Sequence, residues 1–309
     1  MNRRKLFFII IIFCIISAGA HAAVTLRLQQ VTKNIKIDHA YENSAVYVYT
    51  VTLRHKGDAT DFFLTFSSGQ SPSFSPRLMA DGAGSFIEYE LYDDILTRNV
   101  LKDLSAGPSA NEILSGFFPA STKWQTLDVT YTLFVQEGQF VSQGAYDDSF
   151  ILSLYEGNPI VWTEHDSQAI SLQAQMPQIL DVAVVNSGIP FDVLSQELVL
   201  DFGILYEGDL LGGDIVVRSN ALFSLALQSE NQGVMPHADP LDTSVVPYIF
   251  TFNGSPVTLT GTVPVSVVPA GGPSDVNGER YPFSVAIGNY GMATEGSYQD
   301  VITLTIAAN

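Results

Sequence analysis

"GAYDDSFILSLYEG" (144–157) reads Gly-x-Tyr-x-Asp followed by an alternating apolar run, and 152 positions later "GSYQDVITLTIAAN" (296–309) repeats the phrase. In both copies the apolar residues fall at every second position: Phe150, Leu152 and Leu154, then Ile302, Leu304 and Ile306. That is the period of a strand with one face on a core. Two copies of one strand, each late in a series of similar strands, predict two domains of one kind. The two copies differ in their continuation. The first leads into more than twenty residues before the next domain begins, the second into none.

Working outward, the same texture fills both halves. "AVYVYTVTLRH" (45–55), "DFFLTF" (61–66), "SFIEYELYDD" (85–94) and "TLDVTYTLFV" (126–135) alternate in the first. "ELVLDFGILYEG" (197–208), "GDIVVRSN" (213–220), "FSLALQSE" (223–230), "VPYIFTFNG" (246–254), "PVTLTGTVPVSVV" (256–268) and "YPFSVAIGN" (281–289) alternate in the second. Gly, Pro, Asn and Asp clusters separate the runs at the short spacing of sandwiches. One stretch, 93–106, carries apolar residues near i, i+3 and i+4 and predicts a helical turn. The fold class is all-β: two immunoglobulin-like β-sandwiches in tandem, divided near "QMPQILD" (175–181) into domains 23–176 and 177–309. In such sandwiches a tyrosine near the start of the penultimate strand braces the preceding corner, a structural role that suits Tyr146 and Tyr298.

If the repeated strand is the sixth of seven, each domain needs one more. "SQAISLQAQM" (167–176) supplies it in the first, with Ile170, Leu172, Ala174 and Met176 alternating beside Phe150, Leu152 and Leu154. The C-terminal sandwich lacks its last strand on this reading. Tyr298, Ile302, Leu304 and Ile306 then line a groove beside an unpaired edge, which selection normally covers. A strand from elsewhere is expected there, as in donor-strand complementation. "AVTLRLQQV" (23–31) alternates too, and is read as an ordinary first strand rather than a free donor.

Residues 1–22 have the parts of a secretory signal peptide: basic Arg3, Arg4 and Lys5, an apolar run over 6–16, and Ala20 and Ala22 at a cut site. Cys14 is the only cysteine and lies inside that run, so the mature chain has no disulfide, cysteine-based metal site or thiol catalysis. Removing the signal leaves 11 basic against 32 acidic side chains, a net charge of −21. A chain this acidic repels nucleic acid.

The first domain resembles spore coat protein U domains, the subunits of archaic chaperone–usher pili. The resemblance rests on "FFLTFSSGQ" (62–70), "PRLMADGAGSFIEYELYDD" (76–94) and "GAYDDSFILSLYE" (144–156), in the family's order and spanning about the whole first domain. Arg77-x-Met79, Tyr89-x-Leu91-Tyr92-Asp93 and Gly144-x-Tyr146-x-Asp148 are its motif elements. The second domain is similar to a more distant pilin domain through "VVRSN" (216–220), "VPYIFTFNG" and "GSYQDVITLTI". The chain departs from many such subunits in lacking the cysteines that bridge them. The resemblance implies export through the periplasm to a cell-surface pilus. Its partners would be a periplasmic chaperone, an outer-membrane usher and a neighbouring pilin that donates a strand. A two-domain member implies a tip adhesin, whose complete first domain attaches to an abiotic surface or host receptor and supports biofilm formation.

Loops gather at the two ends of a sandwich. "EGNPIVWTEHD" (156–166) and "LSGFFPASTKW" (114–124) are therefore expected at the end of domain one distal to domain two, presenting Ile160, Val161 and Trp162 with Phe117, Phe118 and Trp124 as an apolar binding patch. The bland reading packs these rings inward. No cofactor or metal is expected: His39, His55, His165 and His237 are scattered without ligand spacing. Asp93-Asp94 and Asp147-Asp148 are adjacent on strands and point to opposite faces, unlike a glycosidase pair. An enzyme is not expected. The alternative is a secreted carbohydrate-binding or coat protein of two self-sufficient sandwiches, in which 257–268 or 281–288 completes the second sheet.

Overall fold

A computed structural model describes residues 23–38, 41 and 43–309. The signal-peptide reading of 1–22, with Cys14, and His39 lie outside the described residues.

Domain one is built from β1 (Thr25–Gln30), β2 (Asn34–Asp38), β3 (Ala45–Gly57), β4 (Thr60–Phe66), β5 (Arg77–Ala80), β6 (Phe86–Tyr92), β7 (Leu114–Phe118), β8 (Ser121–Val135), β9 (Gly144–Asn158) and β10 (Val161–Met176). One layer runs β1-β3-β8-β6. The other holds β7-β4-β9-β10-β2, and β5 links β6 to β9 at the corner. β3 and β8 pair from Ala45↔Val135 to Gly57↔Ser121, because both are long runs of β-branched and aromatic residues. The inward positions Val51, Leu53, Tyr131 and Leu133 meet Phe150, Leu152 and Leu154 in one core. The stretch 23–31 forms an ordinary first strand: β1 pairs with β3, and the chain then switches layers as β2, parallel to β10.

Domain two comprises β11 (Leu180–Val185), β12 (Leu210–Ser219), β13 (Phe223–Ser229), β14 (Val234–Pro236), β15 (Val245–Phe252), β16 (Ser255–Val257), β17 (Val265–Gly271), β18 (Glu279–Ile287) and β19 (Ile302–Ala308). Its layers are β11-β12-β18-β15-β14, with β16 hairpinned on β15, and β17-β13-β19.

The repeated phrase has the same side-chain chemistry in both domains. Tyr146 donates its hydroxyl hydrogen to Ser142 O and Tyr298 to Thr294 O, each at 2.6 Å and each four residues upstream. The aspartate two residues on accepts a tyrosine hydroxyl from a neighbouring strand: Tyr89 to Asp148 at 2.6 Å, Tyr248 to Asp300 at 2.5 Å. Backbone N–H groups complete both carboxylates, from Gln70 and Ser149 to Asp148, and from Asn231 and Val301 to Asp300. Burial, then the aspartate charge, pushes the Tyr89 phenol far up, and burial with the Asp300 hydrogen bond raises Tyr248. Arg77 is fully buried and donates to Phe66 O, Ser67 O, Phe74 O and Leu101 O, tying three segments of domain one together.

One expectation is narrowed and two are corrected. The helical turn in 93–106 is one 3₁₀ turn, Leu104–Ala106, capped by the Asp103 side chain and stopped by Gly107 in the left-handed region. "PVTLTGTVPVSVV" is not one strand. The chain leaves the sheet after β16, turns where the Thr260 hydroxyl bonds Val263 O, and re-enters as β17 in the other layer. "ELVLDFGILYEG" keeps its alternation but joins no ladder.

Candidate strand-acceptor groove and distal face

In domain one, β9 lies between β4 and β10, and β10 runs antiparallel along it from Val161↔Asn158 to Met176↔Gly144. Phe150, Leu152 and Leu154 are 0% exposed. Ile170, Leu172, Ala174 and Met176 of β10 are all buried beside them, with Ile35 and Ile37 of β2 closing the far side.

The matching strand of domain two, β19, pairs with β13 alone among the described residues. Its inward side chains Ile302, Leu304 and Ile306 pack against Leu225 and Leu227 of the core cluster, yet each stays only partly buried. Tyr298 sits upstream of this row as the corner brace and meets His237 edge-on at 5.2 Å. β17 occupies the opposite edge of β13, and β18 lies in the other layer between β12 and β15. Neither of the segments that could make domain two self-sufficient lies against β19.

A segment without a ladder of its own also packs on this core. After β11 the chain returns, with Val184 N–H donating to Ser195 O, and continues in the direction of β11 through 197–203. Leu198, Leu200 and Phe202 turn inward, the latter two onto the core, while Glu197, Val199, Asp201 and Gly203 face solvent. Gly213 makes room: a Cβ there would stand 2.4 Å from Val185 O and 2.7 Å from Leu198 Cδ2. Leu200 and Phe202 pack on the same core cluster as Ile302, Leu304 and Ile306 of β19. Its alternation was legible; the lack of a hydrogen-bond partner was not. A second opening of about 540 Å³ lies at the opposite edge of domain two, lined by Phe252, Val257, Val267 and Tyr281 where β16 and β17 part.

The three turns joining β3 to β4, β7 to β8 and β9 to β10 share one end of domain one, as the registers Gly57↔Ser121, Thr60↔Phe118 and Phe62↔Glu156 require. Ile160 (90% exposed) and Val161 form the tip of the β9–β10 hairpin, held by two N–H bonds to Asn158 Oδ1. Trp162 is half exposed and meets Tyr155 edge-on at 5.1 Å. Phe117 is exposed on β7, opposite Asp61.

Two of the six expected patch residues stand elsewhere. Phe118 is only 3% exposed, stacked on His55 at 4.8 Å and packed on Phe62, because 114–124 is a hairpin whose successive side chains point to opposite faces. Trp124 lies on β8 in the other layer, its ring under the Arg54 guanidinium at 3.9 Å. The structure thus brings Phe117, Ile160, Val161 and Trp162 to one end of one layer, with Trp124 near that end on the other layer. Among the described residues no group of three or more His, Cys, Asp or Glu is gathered as a metal site.

At the opposite end of domain one, Asn220 is buried and joins the domains. Its amide donates to Val141 O and Pro177 O, and its Oδ1 accepts Ile179 N–H.

Residues 11–153 match the family model of the Spore Coat Protein U domain. No curated protein sequence matches the chain. Three solved structures are similar over most of both chains. One is a chain of the CsuC–CsuE chaperone–tip adhesion subunit pre-assembly complex of Acinetobacter baumannii archaic Csu pili (12% identity, TM-score 0.39, 91% of this chain and 99% of that one). Another is the CupB6 tip adhesin of Pseudomonas aeruginosa (10%, 0.36, 92% and 94%). A third is CfaE, the adhesive subunit of CFA/I fimbria of enterotoxigenic Escherichia coli (10%, 0.37, 91% and 94%). Over residues 11–153, which include most of its first sandwich, the chain is thus similar to the Spore Coat Protein U domain family.

Proposed function

We propose that the chain is an exported subunit of a chaperone–usher pilus, placed at the tip, whose domain two accepts a donor strand and whose domain one carries out attachment. The observation that carries this reading is the contrast between equivalent strands. Phe150, Leu152 and Leu154 of β9 are fully covered by the chain's own β10, whereas Ile302, Leu304 and Ile306 of β19 are partly open beside a free edge. An unpaired apolar edge is a template for another strand. The spore coat protein U match supports the pilus context.

What domain one offers supports the tip position. Its own closing strand fills its acceptor position, and β1 and β2 are both engaged in its own ladders, so neither is available to donate. A periplasmic chaperone would cover the groove before assembly at the outer-membrane usher, and a neighbouring pilin would fill it in the fibre. Phe117, Ile160, Val161 and Trp162 form the attachment face, toward an abiotic surface or a host receptor in biofilm formation.

The test compares the mature chain with the same chain extended after Asn309 by a flexible linker and an alternating apolar strand. The extended chain is expected to be monomeric and to unfold at higher temperature in domain two. A bare chain already monomeric, stable and indifferent to the extension would refute strand acceptance and favour a self-contained binding protein.

A further inference from the structure

Domain one shows how a closing strand hands over to the next body. β10 leaves beside the start of β9, at the end carrying the 136–143 loop, and passes through Pro177 into β11. Domain two stands on that same end: Asn220 takes Val141 O with its side-chain amide, and its backbone carbonyl accepts Gln143 N–H.

The equivalent end of domain two carries the 288–301 loop with the second tyrosine corner. It is the end away from domain one, since β12 runs from Leu210 there to Ser219 beside Asn220, and β19 runs from Ile302 there to Ala308 near Leu222. Five large apolar side chains stand exposed at this end: Ile204, Tyr206, Leu210, Leu241 (91%) and Met292 (99%). Tyr290 ties two of the segments together by donating to Leu205 O, and Thr294 ties the others by donating to Asp242.

Charge selects the kind of partner. Residues 177–309 contain 14 Asp and Glu but only two basic side chains, Arg218 and Arg280, and both are paired, with Asp181 and Asp214. Glu207, Asp209, Asp239, Asp242 and Glu295 ring the apolar end, where no Lys or Arg stands. An acidic rim around apolar knobs complements a basic rim and repels an acidic one.

We propose that this end face seats the body of the subunit whose strand fills the groove, and that the seated body presents an apolar end with a lysine- or arginine-rich rim. The inference rests on the strand-acceptor reading and adds direction to it. A strand antiparallel to β19, as β10 is to β9, emerges at its C-terminal end beside Ile302, at the end face that carries Leu241 and Met292. The seat then holds the donor's body as domain one holds domain two.

The test uses three synthetic peptides on the full mature chain: an alternating apolar donor strand alone, the same strand with a short lysine–leucine tail at its C-terminus, and with that tail at its N-terminus. The C-terminal tail is expected to tighten binding by about tenfold over the N-terminal one. The gain should collapse near 0.5 M salt, where the screening length falls to a few ångströms. It should also vanish in the Leu241→Ser, Met292→Ser variant, which leaves the plain peptide's affinity unchanged. Equal affinities for the two tailed peptides, with the plain strand bound, would overturn the seat alone. No binding of the plain strand would overturn the seat and the groove together.

Discussion

Leu152 and Leu304 occupy the same place in two copies of one strand, and shortening each to alanine separates a covered strand from an uncovered one. Leu152 is fully buried beneath β10, so Leu152→Ala removes a complete set of contacts and leaves a cavity, at a cost of about 2–5 kcal/mol. Leu304 is only partly buried, so the bare chain loses roughly half of the ~1.5–3 kcal/mol that a fully buried leucine contributes, about 1 kcal/mol. When a donor strand lies over it, Leu304 acquires the environment of Leu152 and the cost of its removal rises to ~2–5 kcal/mol. For a domain of this size the added penalty corresponds to roughly 5–10 °C in unfolding temperature. Both tryptophans, Trp124 and Trp162, are in domain one, so tryptophan fluorescence follows that domain and calorimetry resolves the other. The measurement is Leu304→Ala in the bare and strand-extended chains, with Leu152→Ala as reference. A Leu304→Ala penalty equally large in the bare chain would show that β19 is already covered, and would refute the reasoning.

Replacing the hydroxyl-bearing ring at Tyr248 by Phe takes one donor from Asp300 and is expected to destabilise domain two by ~1–3 kcal/mol, with Tyr89→Phe doing the same to domain one; urea titration separates the two. Both phenols are raised above their ordinary value of 10, so folded stability from them is complete below pH 10 and falls as pH rises above it, because unfolded tyrosine ionises while the buried ones stay protonated. The Phe variants should show a shallower alkaline loss, and an unchanged slope above pH 10 would contradict this. Asn220→Ala removes the amide that holds Val141 O, Pro177 O and Ile179 N–H, and NMR relaxation should then report two domains tumbling more independently; identical correlation times would speak against the clamp. In attachment assays Ile160→Ser with Trp162→Ser should abolish adhesion with assembly intact, whereas Trp124→Ser should leave it unchanged, and Phe118→Ser should fail by destabilising domain one. Equal loss with Trp124→Ser would displace the attachment face.

Alternation revealed most strands because each sandwich buries one face of every ladder. The internal repeat also pointed to both tyrosine corners, since their partners lie only four residues away. What period two cannot report is whether a neighbour exists: Leu198, Leu200 and Phe202 alternate like a strand, yet no ladder receives them. The same limit misplaced Phe118. Gly116 and Pro119 gave 114–124 the texture of a loop, and only the pairing Phe118↔Thr60 shows that this ring faces inward while Phe117 faces out. The Asp148–Tyr89 and Asp300–Tyr248 bonds join residues 59 and 52 positions apart, beyond the reach of local pattern.

β10 runs as one strand, with a single bulge between Glu164 and Asp166, from the exposed hairpin tip at Ile160 and Val161 to Met176, and then through Pro177 into domain two. A pull between that tip and the far domain would therefore act along the axis of this strand. Its hydrogen bonds to β9 lie across that axis, so they are loaded in shear and must yield together, where a strand pulled sideways would unzip one pair at a time. The strand that closes domain one is also its tension member, and a load between the two ends of the domain would be carried by the ladder as a whole.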